Sequence, residues 1–204
     1  MNASTALAAE TLEDLIPGDA EVKVAADNLV ENVARNSAWA TTWVAAWQAR
    51  DVDAILDHVT DDIVYDDPGM YGELVVGKEQ FRANIEMVFR GFPDLLFFPT
   101  EWSLMYSLDG TQVAAPTRAV TRFTGDLRGG PSKLDLKGNN RAVDVFCLDL
   151  YRFRDGKLAV WTALNQEFEM ARQIGLLPTN PRLVWALARI QRLVARLQRL
   201  FNRG

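Results

Sequence analysis

The spacing of hydrophobic residues divides the chain into a helical first half and a strand-rich second half. Over residues 37–50 the indoles Trp39, Trp43 and Trp47 recur every four residues, which places all three on one face of an α-helix. The same kind of spacing predicts two further helices, through residues 54–59 and over residues 78–90.

The second half of the chain is dominated by β-branched and aromatic runs that predict strands. These runs cover residues 95–107, 112–124, 141–153 and 158–165, and an earlier strand is predicted over residues 63–67. Turn sequences containing Gly, Asn, Asp or Pro separate the runs, as in antiparallel hairpins. Helices followed by an antiparallel meander predict an α+β domain, in which a curved sheet wraps the helices and leaves a pocket between them.

Composition narrows the class of protein. The chain has 204 residues, 49% hydrophobic and 24% charged, which is typical of a globular protein and rules out a disordered one. A single cysteine, Cys147, and a single histidine, His58, leave no Cys/His cluster for a structural zinc ion. No glycine-rich phosphate-binding motif follows a strand. We therefore expect neither a metal nor a nucleotide cofactor.

Charge is distributed unevenly along the chain. Seven arginines and no acidic residue lie beyond Glu169, so this tail carries +7 while residues 1–169 carry −12. The net charge of −5 argues against nucleic acid as the main partner. Residues 182–203 predict a basic amphipathic helix, which we expect to pack on the acidic domain or on a second copy. Contact of this helix with an anionic membrane surface is the alternative that we favour less.

The sequence suggests three parts. Residues 1–36 have helical composition with a Pro17-Gly18 break and are predicted to form an N-terminal arm outside the main fold. Residues 37–178 form the α+β domain, and residues 179–204 the C-terminal helix. The first 13 residues lack the positive segment of a secretory signal, so a cytoplasmic location is expected.

Two carboxyl groups are the strongest candidates for chemistry. Strand alternation places Asp149 on the same face as Val145 and Cys147, in an apolar row where loss of solvent raises the pKa of a carboxyl. On the first strand the same alternation pairs Tyr65 with Asp67, which precedes a proline at the strand end. If both strands face one pocket, an ionised and a protonated carboxyl would form a base and proton-donor pair suited to enolate chemistry.

Structural roles compete with this interpretation. Asp-Pro at a strand end is common in turns, and an inward Asp can be a hydrogen-bonded structural group. His58 lies near a helix end, where capping is the expected role. Trp43 and Trp161 are core residues first and pocket walls second, and Arg118 and Asn165 are weaker candidates for substrate contact.

Several short segments, taken in order, resemble a known family. They include Asp66-Asp67-Pro68, Tyr151-Arg-Phe-Arg-Asp-Gly156 and neighbouring pieces over residues 47–55, 60–65, 77–82, 92–95 and 173–178. This pattern resembles the nuclear transport factor 2-like superfamily, most of all its SnoaL-like polyketide cyclase branch. The resemblance implies a cone-shaped (cystatin-like) curved antiparallel sheet around N-terminal helices, a deep apolar pocket, no cofactor and a homodimer.

The resemblance also implies roles for individual residues. Asp67 falls where ketosteroid isomerases hold their general base, and Asp149 where they hold a protonated oxyanion-hole acid. Trp43 stands at the position of the isomerase's oxyanion tyrosine. The limonene epoxide hydrolase branch is similar at Tyr65, Asp67 and Arg118. Its two catalytic aspartates, however, align with Val120 and Ala163.

The leading hypothesis is a cofactor-independent acid/base enzyme that acts on a small hydrophobic carbonyl compound through an enolate. Asp67 is the predicted base, Asp149 the predicted acid, and Tyr65 the residue that orients the substrate. Ring closure by an aldol reaction, the reverse cleavage, dehydration and isomerisation all pass through an enolate. The alternative is a non-catalytic module of the same fold that binds a ligand or a partner protein, and epoxide hydrolysis is an outside alternative.

Overall fold

A computed structural model of the chain describes residues 19–68, 74–129 and 135–201. The helices of this part are α1 Asp19–Ala49, α2 Val52–Asp57, α3 Lys78–Gly91, α4 Glu167–Gln173 and α5 Pro181–Phe201. The strands are β1 Val59–Asp66, β2 Val75–Val76, β3 Leu96–Pro99, β4 Met105–Tyr106, β5 Gln112–Phe123, β6 Arg141–Arg154 and β7 Lys157–Asn165. The predicted break at Pro17-Gly18 lies outside the described residues.

The described strands form one curved, unclosed sheet. Its order is β2-β1-β7-β6-β5-β3, and β4 pairs with β5 beside β3. All neighbours are antiparallel except β1 and β7, which are parallel. The predicted α+β class is confirmed, because the structure combines a curved, unclosed sheet with several helices.

The run predicted as one strand over residues 95–107 is two short strands. Pro99 ends β3 opposite Thr117, whereas β4 resumes with Met105 opposite Ala114. More residues therefore separate the two pairs on this edge than on β5, so the intervening segment must loop out of the ladder. Trp102 lies in that loop and is exposed.

Helix α1 runs without a break across the predicted boundary between arm and domain. The Asn36 side chain is buried and donates to the carbonyl of Gly110 at 2.7 Å, and Asn32 donates to the carbonyl of Asp109 at 2.5 Å. Both contacts fix the turn between β4 and β5. Residues 29–36 thus belong to the packed body rather than to a separate arm, because their inward polar side chains bond to it.

The three indoles of α1 form the centre of the larger core cluster. Trp39 and Trp43 stack with ring centroids 4.9 Å apart, and Trp47 meets Trp161 of β7 edge to face at 5.8 Å. Such pairs add about 0.5–1.5 kcal/mol each beyond the area that they bury. The stripe therefore anchors α1 across the concave side of the sheet.

Helix α3 is tied to the far end of the sheet. The carbonyl of Gly91 accepts hydrogen bonds from the backbone N–H groups of Thr124 and Gly125, both at 3.2 Å. A Cβ at Gly125 would lie 1.8 Å from the carbonyl oxygen of Arg90, so only glycine permits this approach. The contact holds α3 over the sheet and leaves space between the two core clusters.

The C-terminal helix is present as predicted, over Pro181–Phe201. Its described side chains are exposed, apart from the half-buried Ala195. The expected packing of this helix on the acidic domain of its own chain is therefore absent from the described residues. None of the helices that the structure describes is long and apolar enough to cross a membrane.

Candidate active site

A cavity opens where the two core clusters meet on the concave side of the sheet. The volume of the cavity is about 120 Å³. Aromatic and aliphatic side chains form most of its wall: Trp47, Tyr65, Val88, Phe92, Leu95, Phe97, Ala119, Val143, Val145, Trp161, Ala163 and Met170. The polar groups and the thiol in the wall belong to Asp67, Asn84, Thr121, Cys147, Asp149 and Asn165. A mostly apolar pocket with a few polar groups is typical of a small-molecule site.

Asp149 reaches the cavity because of the alternation along β6. It is 5% exposed and pairs with Ala163 of β7 in the sheet register, so a small neighbour leaves room beside it. Trp161 donates from Nε1 to Oδ1 at 2.8 Å, and Thr117 Oγ1 lies 3.5 Å from Oδ2. Burial raises the pKa of Asp149 to about 6, although donation from Trp161, Tyr151 and Thr117 opposes the rise.

Asp67 enters the cavity from the end of β1, directly after the last strand residue. The Tyr65 hydroxyl donates to its Oδ2 at 2.9 Å, and the Asn165 amide donates to the same oxygen at 3.4 Å. Burial raises the pKa of Tyr65 well above its usual value, and the charge of Asp67 adds to the effect. Tyr65 is therefore a donor throughout the ordinary pH range, and its bond sets the orientation of the Asp67 carboxyl.

The two carboxyl groups influence each other across the cavity. The charge of Asp67 contributes to the raised pKa of Asp149, so protonation of Asp149 is favoured while Asp67 is ionised. A carboxylate and a carboxylic acid facing one apolar space can remove a proton from a bound molecule and donate one to it. This is the chemical capacity of the arrangement.

Five of the residues singled out in the sequence line this cavity, and three do not. Tyr65, Asp67, Asp149, Trp161 and Asn165 come together there. His58 instead caps α2, with Nδ1 2.7 Å from the Ala54 carbonyl and Nε2 2.8 Å from the Thr42 hydroxyl. The Nε2 contact joins the end of α2 to α1, and the Nδ1 contact stays within α2, so both ring nitrogens are engaged.

Arg118 and Trp43 also lie away from the cavity wall. Arg118 points to the outer face of β5, because it alternates with the inward Thr117 and Ala119, and it forms an ion pair with Asp144. Trp43 is buried in the core, but it donates a hydrogen bond to Tyr151, which in turn bonds to Asp149. Trp43 also meets Trp161 and Trp47 of the cavity wall edge to face, with ring centroids 5.6 and 5.7 Å apart. Any effect of Trp43 on the site therefore passes through Tyr151 or through these two indoles.

Asn84 is the main site residue that the sequence interpretation missed. It lies on α3 between the apolar residues Phe81 and Val88, is 4% exposed and faces the cavity. Its side chain is one of the few polar groups in the cavity wall. A polar residue in the apolar stripe of α3 was the signal that could have identified it.

Cys147 and Trp47 are further wall residues that were not predicted for the site. Burial and the neighbouring Asp149 raise the pKa of the Cys147 thiol to about 12, so it is an apolar wall group rather than a nucleophile. Across residues 19–68, 74–129 and 135–201, no three His, Cys, Asp or Glu side chains come together in a way that could hold a metal ion.

Comparison with known proteins agrees with this architecture. A family model described as a SnoaL-like domain matches residues 40–161. No curated protein matches the sequence. A candidate hydroxylase, AclR from Streptomyces galilaeus, shares 23% identity, covering 82% of this chain and 96% of its own, with a TM-score of 0.59.

Two further solved structures show the same fold. A candidate SnoaL-like polyketide cyclase from Jannaschia sp. CCS1 shares 20% identity over 71% of this chain and 94% of its own, with a TM-score of 0.60. A protein with a ketosteroid isomerase-like fold from Catenulispora acidiphila, solved with trimethylamine, shares 18% identity over 69% of this chain and 93% of its own, with a TM-score of 0.53. At these identities the likeness establishes the fold alone.

Proposed function

The chain belongs to the SnoaL-like domain family, and we propose that it is an acid/base enzyme that forms an enolate from a small hydrophobic carbonyl compound without a cofactor. The family, which includes proteins named as polyketide cyclases, suggests a catalytic role. One observation carries the proposal: Asp67 and Asp149 face the same apolar cavity.

In the proposed reaction Asp67 acts as the general base. Its carboxylate removes a proton from the carbon next to the substrate carbonyl, and the electron pair of that C–H bond moves into the enolate. Tyr65 and Asn165, both bonded to Oδ2 of Asp67, hold the carboxyl in one orientation for this step. A positioned base and acid contribute roughly 10²- to 10⁴-fold to the rate.

Asp149 is the proposed donor to the carbonyl oxygen. In its protonated form it stabilises the enolate oxygen by a hydrogen bond inside a mostly apolar cavity. Because the pKa of Asp149 is about 6, the donor form predominates below that pH and falls about tenfold for each pH unit above it. The enolate then adds to a second carbonyl, expels a β-hydroxyl group or takes a proton back at another carbon.

Hydrogen exchange at the α-carbon tests the first step without knowledge of the natural substrate. The protein is incubated in deuterated water with hydrophobic ketones and β-hydroxy ketones, and deuterium uptake is followed by mass spectrometry. We expect Asp67→Asn to lower the exchange rate by at least about 10²-fold. Asp66→Asn is the matched control, because Asp66 is the neighbouring carboxyl and does not line the cavity.

The pH dependence of exchange distinguishes the two roles. If Asp149 is the donor, exchange falls as the pH rises through about 6, and Asp149→Asn loses this limb of the profile. A rate that rises through the same pH would make Asp149 the base and contradict the assignment. Ligand binding detected by calorimetry together with no exchange for any ketone would favour the non-catalytic binding module.

A further inference from the structure

The C-terminal helix α5 has an apolar stripe with no partner in the described part of the chain. Leu183, Leu187, Ile190 and Val194 follow one another at spacings of four, three and four residues, so they share one face. Each is between 45% and 57% exposed. A contiguous apolar face on a helix of 21 residues, about 32 Å long, marks an interaction surface rather than scattered exposed residues.

The opposite face of α5 carries arginines without acidic partners. Arg189, Arg192, Arg196 and Arg199 recur at spacings of three, four and three residues, and the helix contains no acidic residue. Among the described residues no carboxylate lies within 4 Å of these guanidinium groups or of Arg182, as the ion pairs of the structure all involve other residues. The positive charge of the helix is therefore not neutralised by its own chain.

The body offers fewer acidic partners than its charge suggests. Seven of its described carboxylates already form ion pairs with basic groups of the body: Glu31, Asp53, Asp61, Asp62, Asp126, Asp144 and Glu169. A second copy brings the same arginine-rich helix, so pairing α5 with another α5 would oppose like charges. An occupant that satisfies both faces must present negative charge and apolar groups together.

An anionic lipid surface meets both requirements, and we propose that α5 lies flat on such a surface. The stripe from Leu183 to Val194 would enter the boundary between headgroups and acyl chains, while the arginines contact lipid phosphates and carboxylates. Trp185 lies 3.8 Å beneath the Arg189 guanidinium, an aromatic group suited to the headgroup region. Nucleic acid would satisfy the arginines but leave the apolar stripe in water.

Vesicle flotation of the full chain tests the proposal. One set of vesicles contains phosphatidylcholine alone and the other equal amounts of phosphatidylcholine and phosphatidylserine. We expect flotation with the anionic vesicles only, weakening as salt is added because the charges are screened. Near-ultraviolet circular dichroism checks that each variant keeps its tryptophan core.

Two double variants separate the contributions of the two faces. Arg192→Gln with Arg196→Gln should lower the partition constant roughly thirtyfold, since each arginine near an anionic surface is worth about a fivefold change. Leu187→Gln with Ile190→Gln should lower it by more than about tenfold per side chain. Gln191→Ala with Gln198→Ala borders the apolar stripe and changes no charge, so this matched control should not lower flotation.

The alternative occupants give different results. Equal flotation with neutral vesicles, or no loss in either double variant, would overturn the proposal. An absence of flotation would overturn it as well. Light scattering would then show whether the protein forms a dimer that the Leu187 and Ile190 changes dissociate, and a gel shift would show whether α5 binds an oligonucleotide. Flotation that requires anionic lipid and both faces would establish the lipid surface as the occupant.

Discussion

Replacement of Asp149 by Asn is expected to stabilise the protein more at neutral and alkaline pH than in acid. The carboxyl is buried, and its pKa is raised from 3.8 to about 6 by loss of solvent. The folded state therefore holds this proton more tightly than the unfolded state does. Its ionisation costs folding free energy as the pH rises, whereas an asparagine at the same place does not ionise.

The size of the effect follows from the shift. A carboxyl with a pKa of 3.8 when unfolded and about 6 when folded lowers the free energy of unfolding by roughly 3 kcal/mol once it is ionised in both states. About 2 kcal/mol of this loss develops between about pH 4.5 and about pH 8. The sign is that of a raised carboxyl pKa: stability is greatest in acid and declines as the pH rises through the folded value.

Urea unfolding of the parent and of Asp149→Asn across this pH range measures the effect. The quantity of interest is the free-energy difference between the two proteins at high pH minus the same difference at low pH. Fixed costs of the substitution, such as an altered hydrogen bond to Trp161, cancel in this double difference, as do the titrating groups that do not interact with Asp149. We expect it to favour the variant by roughly 2 kcal/mol.

Asp144→Asn is the matched control, since Asp144 lies on the outer face of the same strand. Its ion pair with Arg118 lowers the pKa of Asp144, so its stabilising contribution is present at neutral pH and is lost in acid. The pair is exposed, and the effect should be below about 1 kcal/mol and opposite in sign. A double difference near zero for Asp149→Asn would refute the reasoning, because the carboxyl would then titrate alike in both states.

Three further predictions concern the cavity wall. Trp161→Phe removes the donor to Oδ1 of Asp149 and should raise the pKa of that carboxyl further. In the same urea series the pH-dependent loss of stability should then move to higher pH, and an unchanged profile would contradict this. Asn84→Leu should lower α-carbon exchange while changing the free energy of unfolding by less than about 1 kcal/mol, because an amide that lines the cavity is replaced by an apolar group of similar size. A loss of several kcal/mol would mean that the amide has a structural role. Cys147, whose thiol pKa is about 12, should react with iodoacetamide near pH 8 roughly a thousandfold more slowly in the native protein than in urea, and equal rates would exclude the raised pKa.

The two candidate carboxyls could be found from the sequence because strands have a fixed alternation. A period of two places Asp149 with its apolar neighbours and Asp67 with Tyr65, whatever the curvature of the sheet. The same rule, applied to β5, separates Arg118 from the inward Thr117. The resemblance to epoxide hydrolases had suggested Arg118, so alternation was the better guide at this position.

Other features depend on contacts that no local pattern contains. Asn84 faces the cavity only because α3 is fastened over the sheet at Gly125, a contact between distant parts of the chain. Helix α4, only seven residues long, is too short for a clear helical period. This part of α1 is held against the turn between β4 and β5 by the hydrogen bond from Asn36 to the Gly110 carbonyl. Sequence spacing does not show that contact.

The surroundings of Asp149 support a role in proton transfer over a purely structural one. Burial alone would push its pKa upward, yet donors from Trp161, Thr117 and Tyr151 oppose the rise and leave the pKa at about 6. A structural acceptor for the Trp161 N–H could be an asparagine oxygen, which would avoid the cost of about 3 kcal/mol that ionisation imposes on folding. A group held between its protonated and ionised forms near neutral pH is suited to both give and take a proton. A pKa held near 6 is a better reason for a carboxyl at position 149 than the hydrogen bonds that it accepts from Trp161, Thr117 and Tyr151.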